Sequence, residues 1–533
     1  MTGYQGLRSQ PGHANPAISS TSMSVSKPSP NGVRAFHICL NPDSLDGHPE
    51  LLDIMVSAGM DQIWLPAFFY GYWPYPEESR MKWHRTIEDR GIQTGVINIP
   101  LGHPGDSLGA MHGNIPLTPP EHWSMGQYPD GRQFSGTSLH PPASEENVMA
   151  VRKLAEEGAK EIFLDDDFRL AVTPGMIGGC FCDKHKNQFL DTGGYEESEW
   201  ESLLDAVHHR NPTTLLRSWI EFTCDELTTS FQQQQAAAPD AMLGNMVMYF
   251  GSEKAGIRLD DYRNALFRVG ESKFSDPLFT PVKGKTDSLF SCLFHRRYAQ
   301  PELAYSETTA YPADQLSARN IAAKLAISTL ADVRNTMFMS GLTPYPIEHW
   351  DTIIPAMRHN AALHEHVAGY KPQGPLKHYW GDYSRLVGND DPYSLFLALG
   401  IPFAVCDAPA DEGWTFLSDA DTQGFRDGAF KAAGTRFITR QETTGNSDGN
   451  DLRTIPENLE ALFSLKHEIV QQLDASVPYV VEDVPIICAW YPEANTVLVW
   501  NLAEEAVSVT LKLGKSDYSI NLEALEINRV NLS

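Results

Sequence analysis

Short apolar runs alternate with amphipathic stretches along the chain from Val33 onward. Apolar runs of about four to eight residues between turn signals are typical of buried strands, and apolar residues three and four apart are typical of helices. The alternation predicts parallel β/α units. Eight strands are predicted, the sixth from the weakest pattern, at 34–40, 62–66, 94–100, 161–164, 241–248, 266–269, 302–306 and 335–340. Eight units in one stretch indicate a (β/α)8 TIM barrel.

The pattern changes after Gly369. A helix is predicted at 391–400, strands at 401–406 and 415–417, and a further helix at 456–473, which together indicate a small α/β domain. From Val481, apolar and polar residues alternate in short strands, as in an antiparallel β-domain. We therefore expect a disordered leader (1–32), a catalytic barrel (33–370), a small α/β domain (371–478) and a C-terminal β-domain (479–533).

The charge and composition of the chain reduce the classes of binding partner that we expect. The formal net charge is -27, with 41 Lys and Arg against 68 Asp and Glu. This balance repels polyanions, so nucleic acid and anionic membranes are not expected partners. No apolar run reaches the roughly 20 residues that span a bilayer, and the leader lacks the apolar core of a secretory signal. Seven scattered cysteines are not a disulfide framework, so we expect a soluble, cytoplasmic protein.

Carboxylates follow two of the predicted strands. Asp165, Asp166 and Asp167 close strand four, and Glu307 closes strand seven. Side chains at the carboxyl ends of barrel strands line the active site, and a strand directs alternate side chains to opposite faces. At least one aspartate should therefore point into the barrel mouth, unless the run serves as a helix cap or an ion-pair cluster with Arg169. Two carboxylates across a barrel mouth are what glycoside hydrolysis requires.

This pattern resembles the clan A glycoside hydrolases and, more narrowly, the family 42 β-galactosidases. Residues 164–168, Leu-Asp-Asp-Asp-Phe, lie where that family has a valine-aspartate-asparagine-glutamate-tyrosine run. Cys180, Cys182 and His185, followed by Phe189, resemble the family's C-x-C-x2-C cluster and its helix. The domain order also resembles the family's barrel, trimerisation domain and small β-domain.

The resemblance implies cleavage of a β-glycosidic bond with Glu307 as nucleophile and Asp167 as acid/base, by a retaining mechanism. Asp165 and Asp166 should raise the pKa of Asp167 through like-charge repulsion, which suits a proton donor. Two departures matter. Asp167 replaces the family's glutamate and is shorter by one methylene, and Asp166 replaces the asparagine that binds the sugar 2-hydroxyl. The sugar and an inverting mechanism therefore stay open.

A structural zinc site is the second chemical expectation. Cys180, Cys182 and His185 have plausible spacing for zinc, and His140 is the candidate fourth ligand. The alternative is two small loop cysteines and a solvated histidine. No organic cofactor is expected.

Several further residues are candidates for binding substrate. Aromatic rings after strand two are a possible sugar platform, although packing between barrel and helices is the alternative, and Trp64, inside the strand, is predicted to pack. Tyr249 could orient a catalytic carboxylate by a hydrogen bond. The substrate-binding candidates are Tyr70, Trp73, His103, Asp165, Asp166, Tyr249 and Arg258.

Two other functions remain open at the level of sequence. One is a metal-dependent hydrolase or lyase that uses the 165–167 carboxylates as ligands. The other is a carbohydrate-binding protein without catalysis. In addition, the small α/β domain has an apolar strand and no motif of its own, so we expect it to mediate a symmetric homo-oligomer.

Overall fold

The structure is a computed structural model that describes residues 31–102, 119–165, 168–170, 175–247, 250, 252–270, 273–431, 434–440 and 452–532. All but the last two residues of the expected leader lie outside these ranges. Within them, no helix is both long and apolar enough to cross a membrane.

Eight parallel strands in the described ranges close into a barrel, which confirms the predicted fold class. The first strand pairs with the eighth, Ala35 opposite Asn335, and this pairing closes the ring. The strands are β1 (Ala35–Cys39), β2 (Gln62–Phe69), β3 (Gln93–Ile99), β4 (Glu161–Leu164), β5 (Met242–Val247), β6 (Leu266–Val269), β7 (Ala304–Thr309) and β8 (Asn335–Met339).

The seventh strand begins later than predicted. Residues Pro301–Leu303 form a single 3-10 turn, with proline in its first position, and β7 therefore runs from Ala304 to Thr309. Proline lacks a backbone N–H and suits a helical first turn better than a strand ladder. As a consequence, Glu307 lies within the strand and not after it.

Helices surround the barrel and follow its strands. The helix Ala318–Leu330 is capped by Ser317, whose side chain accepts a hydrogen bond from the backbone N–H of Asn320. The α-helices up to residue 364 are Pro42–Gly47, Glu50–Ala58, Glu77–Asp89, Ala143–Glu156, Asp183–Gly193, Glu197–His209, Thr214–Ala237, Asp276–Phe279, Val282–His295, Ala318–Leu330 and Trp350–His364. A short hairpin, Met125–Gln127 with Gln133–Thr137, lies between β3 and β4.

Aromatic rings fill the inside of the barrel. The ring of Phe163 lies 4.9 Å from that of Trp64 and 5.1 Å from that of Tyr305, measured between centroids. Trp64 therefore packs, as the sequence predicted. Glycine at 244 leaves room for this layer, because a Cβ there would lie 2.5 Å from the Phe163 ring. Since side chains two residues apart share a face, Asp165 and Glu307 occupy the next layer toward the carboxyl ends.

The chain after the barrel forms three further sheets in the described ranges. The first is parallel and has the order β10-β9-β11-β12-β13, and its strands are β9 (Leu376–Tyr379), β10 (Phe403–Cys406), β11 (Trp414–Leu417), β12 (Arg436–Thr439) and β13 (Leu452–Thr454). Its α-helices are Asp382–Leu386, Asp419–Arg426 and Leu459–Val470. The helix predicted at 391–400 is wrong, because only Ser394–Ala398 forms a 3-10 helix.

The C-terminal strands form two antiparallel sheets, as the alternating pattern predicted. These strands are β14 (Tyr479–Val480), β15 (Ile486–Tyr491), β16 (Thr496–Asn501), β17 (Val507–Leu513), β18 (Ser516–Leu522) and β19 (Ile527–Asn531). The region packs directly on the barrel's outer helices, since the Tyr491 hydroxyl donates a hydrogen bond of 2.8 Å to the carbonyl of Leu330.

Candidate active site

Two of the predicted carboxylates lie inside the carboxyl end of the barrel. Asp165 directly follows β4, and its backbone N–H donates to the carbonyl of Asn98 at 2.7 Å, which extends the pairing with β3. Glu307 is the fourth residue of β7. Each side chain belongs to a residue that is only 2% exposed. Carboxylates this buried need positive charge or hydrogen-bond donors nearby.

Arg268 of β6 supplies that charge, and the sequence analysis did not identify it. Its guanidinium is fully buried. Nη1 donates to Oδ1 of Asp165, and Nη2 donates to Oε1 of Glu307 at 3.1 Å. The arginine thus links carboxylates from two strands that are far apart in sequence. The available signal was an arginine inside an otherwise apolar strand, Leu-Phe-Arg-Val, because a buried charge requires a partner.

Cys39 and Met339 border the same group of charges. Nη2 of Arg268 also lies 2.9 Å from Sδ of Met339. Burial raises the pKa of the Cys39 thiol; Arg268 opposes this rise, and the charges of Asp165 and Glu307 add to it. The thiol is therefore protonated at neutral pH and adds no charge. With both carboxylates ionised, Asp165, Arg268 and Glu307 together carry one net negative charge.

Four other predicted site residues lie outside the described residues. They are His103, Asp166, Asp167 and Tyr249. The assignment of Asp167 as the acid/base therefore stays a prediction.

The two aromatic candidates after β2 are differently placed. Tyr70 is 2% exposed and has a φ of +28°. Its ring packs closely on Gly102, since a Cβ added at Gly102 would lie 2.7 Å from the Tyr70 ring. Trp73 is 37% exposed. The cations of Arg80 and Lys153, from two outer helices, lie 4.6 and 5.6 Å from its ring centre. Tyr70 therefore offers little surface to a sugar, and Trp73 packs against cationic side chains of the outer helices.

Arg258 forms ion pairs with carboxylates of the helical layer. It pairs with Glu221 at 2.7 Å, Asp225 at 2.8 Å and Asp261 at 3.0 Å. Glu221 and Asp225 belong to the helix Thr214–Ala237. In the described ranges its ion pairs are with these three carboxylates and not with Asp165 or Glu307, so the structure does not bring Arg258 to the buried carboxylates.

The structure brings together three of the four predicted metal ligands. Nε2 of His140 lies 3.3 Å from Sγ of Cys182, and Nδ1 of His185 lies 3.4 Å from the same sulfur. All three ligand atoms lie within 4.8 Å of one another. His185 is 1% exposed. Two imidazoles and a thiolate are donors that zinc prefers, so the residues fit that ion.

The local fold explains this grouping. Cys182 is the N-cap of the helix Asp183–Gly193, so His185 stands in its first turn, three residues further on. The thiol of Cys180 is a hydrogen-bond partner of Cys182 and is the largest cause that lowers the pKa of Cys182. Burial opposes this effect, whereas His140 and His185 lower that pKa further. Cys180 lies beside the cluster, and its own pKa is raised by the same hydrogen bond.

The chain has the fold of solved β-galactosidases. One is the cold-adapted β-galactosidase from Rahnella sp. R3, with a TM-score of 0.58 and 11% identity over 94% of this chain and 98% of that one. Another is the β-galactosidase from the psychrophilic Marinomonas ef1, with a TM-score of 0.60 and 9% identity over 93% and 99% of the two chains. No protein-family model and no curated protein sequence matches the chain.

Proposed function

We propose that the protein is a glycoside hydrolase in which Glu307 is one of two catalytic carboxylates. The observation that carries the proposal is the pair of buried carboxylates, Asp165 directly after β4 and Glu307 on β7, joined through Arg268 at the carboxyl end of a closed barrel. Active sites of barrel enzymes lie at this end. The fold that the chain shares with two β-galactosidases, over nearly the whole of each chain, supports the same class of reaction.

The proposed reaction has two steps. Glu307 attacks the anomeric carbon while Asp167 donates a proton to the leaving oxygen, and Asp167 then deprotonates the water that releases the sugar. This is the retaining mechanism, which needs carboxyl groups about 5–5.5 Å apart. A wider separation, about 6.5–9.5 Å, leaves room for a water and gives inversion. We propose retention and a β-glycosidic bond, with β-galactosides as the first substrates to test.

The alternative in which the 165–167 carboxylates bind a metal receives no support from Asp165. One oxygen of this residue already accepts from the Arg268 guanidinium. A buried cation at this position opposes the binding of a second cation by like-charge repulsion.

The test is hydrolysis of 4-nitrophenyl glycosides, beginning with the β-D-galactopyranoside. Glu307→Gln should abolish turnover on every substrate that the natural protein cleaves. Glu302→Gln is the matched control, because Glu302 precedes the same strand at its opposite end and pairs with Arg334. Proton NMR of the first sugar released distinguishes retention from inversion. Full activity of Glu307→Gln would refute the proposal.

We also propose that His140, Cys182 and His185 hold a structural zinc ion, with Cys180 beside them. His140 precedes the helix Ala143–Glu156, which leads to β4, and Cys182 caps the helix Asp183–Gly193, the first helix after β4 in the described residues. When bound, the ion would join the two segments that flank the strand-four carboxylates. The small α/β domain is further proposed to mediate a homo-oligomer.

A further inference from the structure

Arg268 contacts two buried carboxylates at once. Its guanidinium donates to Asp165 through Nη1 and to Glu307 through Nη2. All three residues are almost fully buried. Burying three charges is costly unless each is paired, and a structural ion pair would need one carboxylate only. The second carboxylate therefore requires its own explanation.

We infer that Asp165 and Arg268 form a positioning pair that sets the orientation and the ionisation of Glu307. This inference rests on the proposed function, in which Glu307 is the nucleophile. Arg268 holds Oε1 of Glu307 in place and favours its charged form. Asp165 shares the positive charge of Arg268, so the pair does not fully neutralise Glu307.

The charged groups around Glu307 make the two partners act in opposite directions. In the described residues these groups are Arg268 from β6 and Asp165 after β4, with the protonated thiol of Cys39 from β1 beside them. Loss of Arg268 removes an attraction and leaves the repulsion from Asp165, so the pKa of Glu307 rises. Loss of the Asp165 charge removes the repulsion and leaves Arg268, so the pKa of Glu307 falls.

The experiment measures the acidic limb of kcat/KM against pH on 4-nitrophenyl β-D-galactopyranoside, or on the best substrate of the glycoside panel. Arg268→Met should shift this limb upward by about one pH unit or more. It should also lower kcat by on the order of 100-fold with a smaller change in KM, because the carboxylate is no longer held in line. Asp165→Asn should shift the limb downward. Arg268→Lys keeps the charge, so its limb should stay near that of the natural protein although kcat falls.

Arg334→Met is the matched control. Arg334 also joins two carboxylates, at 2.6 Å from Glu302 and 3.3 Å from Asp332, and it precedes β8 at the amino end of the barrel. Its removal should leave the acidic limb in place. If one of the single variants does not fold, the double variant Asp165→Asn/Arg268→Met is compared with the other one, because its limb should lie above that of Asp165→Asn and below that of Arg268→Met. An unshifted limb in Arg268→Met, or shifts of the same sign in the two single variants, would overturn the inference.

A second readout does not depend on turnover. Protein labelled with 13C at the glutamate carboxyl carbon can be titrated by NMR, and the signal of Glu307 is the one that Glu307→Gln lacks. Its pKa should rise in Arg268→Met and fall in Asp165→Asn. If the natural protein cleaves no glycoside, the proposed function fails, and this titration still decides the inference about the charges. Equal pKa values in the three proteins would reject it.

Discussion

Arg268 contacts Glu307 across two strand positions. In the register of β6 and β7, Arg268 lies opposite Tyr305, two residues before Glu307. At about 3.3 Å per residue, the guanidinium must reach roughly 6–7 Å along the strand direction to meet the carboxylate. Arginine is long enough for this reach, and its planar fork offers separate nitrogens to two carboxylates. The linkage therefore depends on the kind of side chain as much as on its charge.

The identity of the proton donor can be tested by leaving group. Asp167→Asn should lower kcat strongly for alkyl glycosides, whose leaving oxygen needs a proton, and should spare 2,4-dinitrophenyl glycosides, whose leaving group does not. Asp165→Asn should affect both substrates alike, because it acts through Arg268. Steady-state kinetics on the two substrates check this. If instead Asp166→Asn shows the leaving-group dependence and Asp167→Asn is harmless, the assignment of Asp167 is wrong.

Metal content tests the zinc proposal. Purified protein should contain about one zinc per chain, with Zn–S distances near 2.3 Å by X-ray absorption. Cys182→Ser should lose the metal and unfold at a lower temperature, since a structural site contributes folding free energy. Cys406→Ser, which changes a half-buried cysteine of β10, is the control and should keep the metal. Metal-free protein of unchanged stability would exclude the site.

The stability of the small α/β domain should depend on pH because of the buried carboxylate of Asp421. This carboxylate is fully buried and accepts hydrogen bonds from Gly381 and Ser384, and burial raises its pKa to about 6. The folded state therefore holds the proton more tightly than the unfolded state. The stabilisation that the protonated carboxyl of Asp421 gives to the folded state is fully present below the unfolded-state pKa, near 4. It is lost as pH rises through about 6.

Asp421→Asn removes this titration. The difference in free energy of unfolding between the natural protein and the variant should shrink between pH 4 and pH 7, by at most about 3 kcal/mol at about 1.4 kcal/mol per pKa unit. Urea unfolding across this range measures the difference. Parallel curves for the two proteins would mean that Asp421 does not titrate there.

The packed interior of the barrel predicts that adding a side chain at Gly244 destabilises the folded protein. A Cβ at this position would lie 2.5 Å from the Phe163 ring and 2.9 Å from Cβ of Leu266. Gly244→Ala should destabilise the protein by about 1–3 kcal/mol through overpacking. It should also lower activity, because Phe163 lies directly beneath Asp165. Gly47→Ala, where a Cβ would have nothing within 4 Å, is the control for calorimetry and kinetics.

The order of the barrel strands could be predicted from sequence because it follows from local patterns. The bounds of β4 agree with the prediction residue for residue, since its apolar run has sharp polar ends. Strand β6 lies where the weakest of the eight patterns placed it. The same patterns indicated Glu307 as a residue of the barrel mouth. The spacing of Cys182 and His185 likewise predicted their meeting, because side chains three positions apart at the start of a helix lie on the same face.

The contacts of Arg268 and of the aromatic residues after β2 could not be predicted in this way. Arg268 meets Asp165 only because the barrel closes with a particular register, and 103 residues separate them in the chain. Tyr70 and Trp73 follow the same strand, yet one is buried and the other packs against outer helices, because the loop backbone turns between them. The pattern of apolar and polar residues along one helix or strand indicates how deeply each of its side chains is buried. Which buried side chains then face each other depends on strand register and barrel closure, and these are properties of the whole chain.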